Sequence, residues 1–361
     1  MPYTHFRFIA WEVPTATQDL GVQNSPVVSG FAPGNECAAV VRLPVTATVA
    51  AGDARTRLAR LAAVVDRAAT RVNAIGGDNN QTLKIFIAPE FYFRPPVTTG
   101  PNYDQCTYPQ AEMFKIWGAL DLMFQHADFT HWLIVPGTVM WNRKDQLDAQ
   151  RNPKTNYFNS ALWVRGGPVQ QATRIIEKQL ASGIDGVPQA FAPGADAQLK
   201  PIYEEWRNRK LRVFTIDGSP MGLEVCLDHG SSSTCRVLKR TLNEWSDKEN
   251  GQTQNVSLHL ITAGGMPLQP YSVSAKVNGY VLRNDGFTAA PHSELRKVES
   301  YKMASFITVQ PSSLWGTANL AAGVGNTDNT NLAGDELVTM LGGTNFEFQQ
   351  RIVIYPSQAL A

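Results

Sequence analysis

The chain has 361 residues, of which 43% are apolar and 17% charged, with 32 basic and 31 acidic side chains and a net charge of +1. That length can bury a substantial core in one large domain or two ordinary ones. Balanced charge without a sustained basic run argues against nucleic-acid binding and against a polybasic hold on a membrane.

No apolar stretch is long enough to span a bilayer, and no basic segment followed by an apolar run opens the sequence. The four cysteines, Cys37, Cys106, Cys226 and Cys235, show no CxxC pair and no Cys/His spacing of a zinc site. These features predict a soluble protein of a reducing, cytoplasmic compartment, with no metal, nucleic-acid or membrane partner.

In chain order, residues 1–34 read as an irregular N-terminal arm with one short strand near Phe6 to Trp11. Cys37 to Pro44 reads as a strand. Asp53 is placed to N-cap a helix in which Leu58, Leu61, Ala62, Val65, Ala69 and Val72 recur at helical spacing. Arg57, Arg60, Asp66, Arg67 and Arg71 fall off that face, and Gly76-Gly77 ends the helix. Leu83 to Ala88 is an apolar run suited to a strand buried on both faces. A long loop follows from Phe91 to Pro109, then a helical stripe from Met113 to Phe124 and a strand from His131 to Val135.

Asn142 to Thr155 is polar and reads as an insertion, and Ser160 to Val164 as a strand with a partner around Gln170 to Glu177. Ser182 to Ala197 is loop-like. Leu211 to Ile216 and Pro220 to Val225 flank Asp217-Gly218, a hairpin signal. A helix is expected over Thr234 to Trp245 and a strand over Ser257 to Ala263. A short helix at Val273 to Val277, a strand at Gly279 to Asn284 and a strand over Glu299 to Val309 follow. Residues 311–347 read as a long Gly/Asn/Thr-rich loop region with one short helix near Asp335 to Leu341, before a last strand at Ile352 to Tyr355. With no repeat and no clear linker, the alternation predicts a single α/β domain over 1–361.

Three polar residues end apolar strands or lie just past them: Glu90, Lys178 and Cys226. In an α/β sheet such ends converge on one edge. A thiol, a carboxylate and an ammonium suit acyl-transfer chemistry as nucleophile, proton carrier and stabiliser of the developing anion. Cys226 ends the run Met221 to Val225 and is followed by turn signals at Asp228 and Gly230. A helix N-terminus beyond Ser231 and a nearby ammonium would favour its thiolate.

The ordered segments Ala88-Pro89-Glu90, Glu177-Lys178-Gln179-Leu180 and Gly222 to Asp228 resemble the nitrilase (carbon–nitrogen hydrolase) superfamily. So do Ala51-Gly52-Asp53, Val135-Pro136-Gly137-Thr138, Asn156 to Ala161 and Leu260 to Pro267. The resemblance covers about residues 37 to 290. It implies a four-layer α-β-β-α sandwich with Glu90 as general base, Lys178 as stabilising cation and Cys226 as nucleophile. It implies hydrolysis of a small amide or nitrile through a thioester, with no metal or organic cofactor, and self-association.

Asp228 is kept from the family pattern, but His229-Gly230-Ser231-Ser232-Ser233 replaces the segment that usually follows. Many members carry a second Glu after the Lys, and the nearest acid after Lys178 is Asp185, one methylene shorter; its other role is a turn beside Gly183 and Gly186. Tyr92 and His229 are further accessory candidates, Tyr92 and Arg94 as pocket lining and His229 as a partner for the thiol or as a turn residue. Two rival readings are a binding or assembly module on the same scaffold and an acyltransferase using the same cysteine.

Overall fold

The computed structural model describes residues 3–15, 52–95, 106–145, 154–168, 174–180, 182, 185, 210–232, 235–248, 255–287, 292–302, 316–331 and 350–361. Cys37 to Pro44, most of the N-terminal arm and the helix expected at Asp335 to Leu341 lie outside them.

Two sheets organise the described residues. The first contains β1 (His5–Glu12), β2 (Thr82–Ile87), β3 (Tyr108–Pro109), β4 (Trp132–Val135), β5 (Thr138–Asp145), β6 (Lys154–Arg165) and β7 (Arg174–Glu177). The second contains β8 (Val213–Ile216), β9 (Ser219–Val225), β10 (Val256–Ala263), β11 (Ala275–Asp285), β12 (His292–Lys302) and β13 (Thr317–Leu320). Three late strands, β14 (Asp328–Asn331), β15 (Arg351–Ile354) and β16 (Gln358–Ala359), return to the first sheet. Its order is β14-β15-β1-β2-β4-β6-β5-β3, and that of the second is β13-β12-β11-β10-β9-β8. At the centre of each lie parallel strands, β1-β2-β4 and β9-β10-β11.

Period-two alternation explains how the sheets face each other. Phe6, Phe8 and Ala10 of β1, Leu83, Ile85 and Ile87 of β2, and Leu133 and Val135 of β4 join Met221, Leu223, Val225, Leu258 and Leu260 in one buried cluster. The intervening residues Ile9, Trp11, Phe86, Trp132 and Ile134 pack instead with α1 (Asp53–Ile75) and α2 (Gln110–Met123). On the outer face of the second sheet, Leu238 and Leu242 of α3 (Val237–Lys248) pack with Val213 and Val256. Gly222 belongs there because a Cβ would come within 2.5 Å of the Leu238 side chain. Burying a Leu or Phe side chain in such clusters stabilises by about 1.5–3 kcal/mol.

The Asp217-Gly218 hairpin forms as expected, with both residues at positive φ, 46° and 89°, the pattern of a type I′ turn. Other expectations are corrected. Of the segment read as an insertion, Asn142 to Asp145 and Lys154 to Thr155 belong to strands, because β5 and β6 pair in unbroken register from Thr138↔Ala161 to Asp145↔Lys154; residues 146–153 lie outside the described residues, and backbone pairing does not require apolar side chains. Val273 to Val277 is not a helix; β11 starts at Ala275 alongside Val256. The strand expected from Glu299 begins at His292, and β13 and β14 lie inside the segment read as loop. Gly52, not Asp53, is the N-cap of α1.

Arg57 and Arg60 are buried rather than outward-facing. Arg57 donates to Asp53 and to the Tyr92 carbonyl, and Arg60 to Gln350. Long-range partners therefore overrode the charge-outward pattern of the helix.

The chain leaves β2 through Pro89 and a turn at Glu90-Phe91, where two glycines permit close approach. A Cβ at Gly137 would lie 2.4 Å from the Pro89 carbonyl oxygen, and Gly137 has φ +84°. At Gly286 a Cβ would lie 2.8 Å from Pro89 Cβ. Gly137→Ala combines left-handed backbone strain with overpacking, so the expected loss is about 2–5 kcal/mol in urea unfolding. A loss below about 0.5 kcal/mol would contradict this packing account.

Candidate active site

Glu90, Lys178 and Cys226 reach one place by three routes. Glu90 follows the carboxyl end of β2, Cys226 that of β9, and Lys178 the end of β7. None is more than 2% exposed. The Lys178 ammonium donates to Glu90 Oε1 at 2.9 Å and to both oxygens of Asp185, at 2.9 and 2.8 Å. Cys226 lies close enough to influence the acidity of both Glu90 and Lys178. Among the described residues nothing hydrogen-bonds Glu90 Oε2.

Asp185, the accessory candidate of the sequence, is thus placed against Lys178. Ser182 donates to it from backbone and hydroxyl, which also makes the turn of the alternative reading real. Asn159 is the residue that sequence reasoning left without a role. Its Nδ2 donates to Glu90 Oε1 at 2.8 Å and to Asp185 Oδ1 at 2.9 Å. Reversing that amide would set an oxygen against two carboxylates, so the chemistry fixes its orientation. The available signal was its place in Asn159-Ser160-Ala161, on the strand that pairs with β7. Asn159 also accepts the Lys178 backbone N–H at 2.9 Å.

The backbone around each group is fixed as well. The Glu90 N–H donates to the Ala263 carbonyl, the Glu90 carbonyl accepts from Thr15, and the Phe91 N–H donates to Thr138 Oγ1 at 2.9 Å. Phe91 and Cys226 have φ of 63° and 44°, a conformation costing about 1–2 kcal/mol in a non-glycine residue. Both strained positions adjoin or belong to the site, as strain at functional positions often does. Asp228 joins the turn that begins at Cys226 to the lysine segment. It accepts from the Gln179 and Leu180 N–H groups and pairs with Arg212 at 3.3 Å.

Electrostatics set the resting protonation. Burial pushes Glu90 up to about 7, with Lys178 opposing and Asp185 adding to the rise. Lys178 is held well above its usual range; burial disfavours its charge, but Asp185, Cys226 and Glu90 outweigh it. Asp185 is depressed, its burial outweighed by Lys178 and Ser182. The Cys226 thiol is driven well above its ordinary value, first by burial and then by the Glu90 carboxylate, against Lys178. This corrects the expected thiolate. Helix α3 starts eleven residues beyond Cys226 in sequence, and Glu224 accepts its Leu238 N–H. The sulfur instead has the Gly264 backbone as a hydrogen-bonding neighbour.

Two accessory candidates lie elsewhere. The Tyr92 hydroxyl donates to the Arg57 carbonyl at 2.8 Å, and its ring packs on Trp11 and Phe93 in the helix-side core. His229 bonds Glu224 at 2.9 Å and takes the Gln269 N–H, so both ring nitrogens are committed away from the thiol. Arg94 is buried over the Phe91 ring and feels Cys106, Asp185 and Glu90. Among the described residues, one group has metal-ligand composition, Glu224, His229 and His259, with ligand atoms within 4.8 Å of one another.

No protein-family model and no curated protein matches the sequence. Among solved structures, the chain is similar to a mutant amidase from Nesterenkonia sp. AN1 in complex with butyramide, at 12% identity and TM-score 0.40, over 98% of this chain and 92% of that one. It is similar to a Nesterenkonia AN1 amidase from the nitrilase superfamily, at 14% identity and TM-score 0.36, over 88% and 90%. It is also similar to glutamine-dependent NAD+ synthetase from Acinetobacter baumannii, at 10% identity and TM-score 0.35, over 88% of this chain and 44% of that chain. The chain's own residues carry the functional argument.

Replacing Lys178 by Met leaves two carboxylates facing each other. The expected result is a loss of about 3–5 kcal/mol in urea unfolding. The pH midpoint of Cys226 alkylation should move up by at least about one unit, because Glu90 loses its counter-charge. An unmoved midpoint would show that Lys178 does not govern the site.

Proposed function

We propose that this protein is a cysteine-dependent hydrolase of carbon–nitrogen bonds, of the nitrilase type. More particularly, it cleaves a non-peptide bond in a small amide or nitrile through a thioester, releasing ammonia or an amine. The observation that carries the reading is the convergence of Glu90, Lys178 and Cys226 in one buried site. The packing supports a four-layer α-β-β-α sandwich in one domain, with α1 and α2 outside one sheet and α3 outside the other. The proposal keeps the cytoplasmic setting and the self-association expected above. Among the described residues no helix is long and apolar enough to cross a membrane.

Because the resting thiol is neutral, attack must be coupled to proton removal. Glu90, with one oxygen held by Lys178 and Asn159, takes the Cys226 proton on the other as sulfur bonds to the substrate carbon. Charge building on the carbonyl oxygen or nitrile nitrogen is stabilised by Lys178, whose own charge Asp185 maintains. For an amide, protonated Glu90 then donates to the leaving nitrogen and the C–N bond breaks, leaving the thioester. For a nitrile, the thioimidate formed first adds water before ammonia departs. Glu90 next takes a proton from water as oxygen attacks the thioester. The acid leaves and sulfur recovers its proton.

The test is a panel of small amides and nitriles assayed for ammonia, with intact mass to catch an adduct. Cys226→Ala should release none and carry no adduct; unchanged turnover in that variant removes the proposal. An acylated amine in place of free acid would reassign the protein to acyl transfer. Alkylation of Cys226 no faster than that of Cys37, with no turnover, would favour the binding module.

Glu90 is the competent base only when ionised, and its pKa is raised to about 7. Activity is therefore present above that pH and falls about tenfold per unit below it. A plot of kcat/KM against pH should show this limb, and Glu90→Gln should abolish it together with at least about a hundredfold of the rate. A limb retained in Glu90→Gln would assign the titration to another group.

A further inference from the structure

The buried trio Glu224, His229 and His259 takes no part in the steps above, yet it brackets the nucleophile. Glu224 lies two residues before Cys226 and His229 three residues after it. Their bond, from His229 Nδ1 to Glu224 Oε2 at 2.9 Å, closes the turn in which Cys226 adopts φ 44°. His259 stands on the neighbouring strand β10 and meets the same oxygen through Nε2 at 2.9 Å. Glu224 Oε1 accepts the Leu238 N–H at the start of α3. One carboxylate thus ties β9, the turn beyond Cys226, β10 and α3 together. Beyond His259, β10 runs on to Ala263, which holds the Glu90 N–H, and to Gly264 beside the sulfur.

The far side of each imidazole fixes its proton. His229 Nε2 receives the Gln269 N–H at 3.1 Å, and His259 Nδ1 receives the Ser274 N–H at 3.2 Å. A backbone amide only donates, so those nitrogens are bare. The protons must then sit on His229 Nδ1 and His259 Nε2, both directed at Glu224. An imidazolium at either position would set N–H against N–H. With three donors upon it, Glu224 has to be the anion.

We infer that Glu224, His229 and His259 form a proton-fixed clamp, a carboxylate held by two neutral imidazoles of opposite tautomer, which positions Cys226 for attack. The functional half of this inference rests on Cys226 being the nucleophile; the protonation pattern does not. Against its burial, Glu224 is pushed down to about 2, first by the hydrogen bonds from His229 and His259, and burial pushes His229 down to about 4. The other charges acting on the clamp are Asp228, Lys239 and Arg283. A metal ion would suit these residue types, but the nitrogens facing the carboxylate are the protonated ones, and a metal would have to expel both protons.

The test is long-range proton–nitrogen correlation on the full chain labelled with 15N-histidine, between about pH 5.5 and 8.5. The expected signature is one Nδ1–H ring and one Nε2–H ring, unchanged with pH and with added zinc. An imidazolium, a shared tautomer, or stoichiometric zinc uptake that removes these signals overturns the clamp. This readout holds whether or not the protein turns over amides.

Positioning is read separately by iodoacetamide labelling of Cys226. An Asn amide can replace Nδ1 and a Gln amide Nε2, so His229→Asn and His259→Gln should label within about threefold of the native rate. His229→Gln and His259→Asn should label about tenfold or more slowly, the size of one hydrogen bond to a charged group. With folded variants, equal losses in both pairs overturn the positioning role, whereas a failure of amide turnover alone strikes only the proposed function.

Discussion

The site depends on one ammonium buried between two carboxylates. Taking Glu90, Lys178 and Asp185 out of water costs several kcal/mol per ion, and the arrangement persists because almost every polar atom is answered. Lys178 supplies both carboxylates, Asn159 bridges them from the strand beside it, and Ser182 completes Asp185. The triad carries one negative charge with Glu90 ionised, which is why neither Glu90 nor the adjoining thiol has an ordinary acidity. Burial and Asp185 make the carboxyl basic enough to take a proton, and the same surroundings keep sulfur from giving one up unaided. In the proposed reaction the nucleophile therefore forms only when its base acts.

Such a balance tolerates little movement, and the fold supplies rigidity at the backbone. The Pro89-Glu90 segment is held from β10, from the residues after β1 and from β5, and Gly137 and Gly286 remove the side chains that would push it away. Asp228 binds the lysine segment to the turn that begins at Cys226. Across β9 from the inter-sheet core, Glu224 performs a similar service toward α3. The two faces of one strand thus divide the work. Leu223 and Val225 anchor the strand in the core, and Glu224 between them holds the turn that follows.

Much of this was legible in the chain. Apolar runs located β2, β4, β9 and β10, because strands buried on both faces need apolar residues at nearly every position. The Asp217-Gly218 pair announced its hairpin through residues that tolerate positive φ. Side chains at or just past the ends of β2, β7 and β9 pointed to Glu90, Lys178 and Cys226. Less legible were elements whose stability is not local. The second half of β5 and the first half of β6 are largely polar in sequence and exist because they pair with each other. Arg57 and Arg60 read as solvent-facing because helical spacing says nothing of a carbonyl or an amide delivered from elsewhere in the chain.

By itself the sequence determined which chemistry was present, a thiol, a carboxylate and an amine at strand ends, and in what order. Tertiary structure alone decided their company. It brought Asn159 and Asp185 onto Lys178, carried Tyr92 into the helix-side core and turned His229 toward Glu224. It also set Cys226 among burial and a carboxylate that disfavour its thiolate. The reason is that acidity and partnership depend on burial and on distances across the fold, and neither is written in the spacing of residues along the chain.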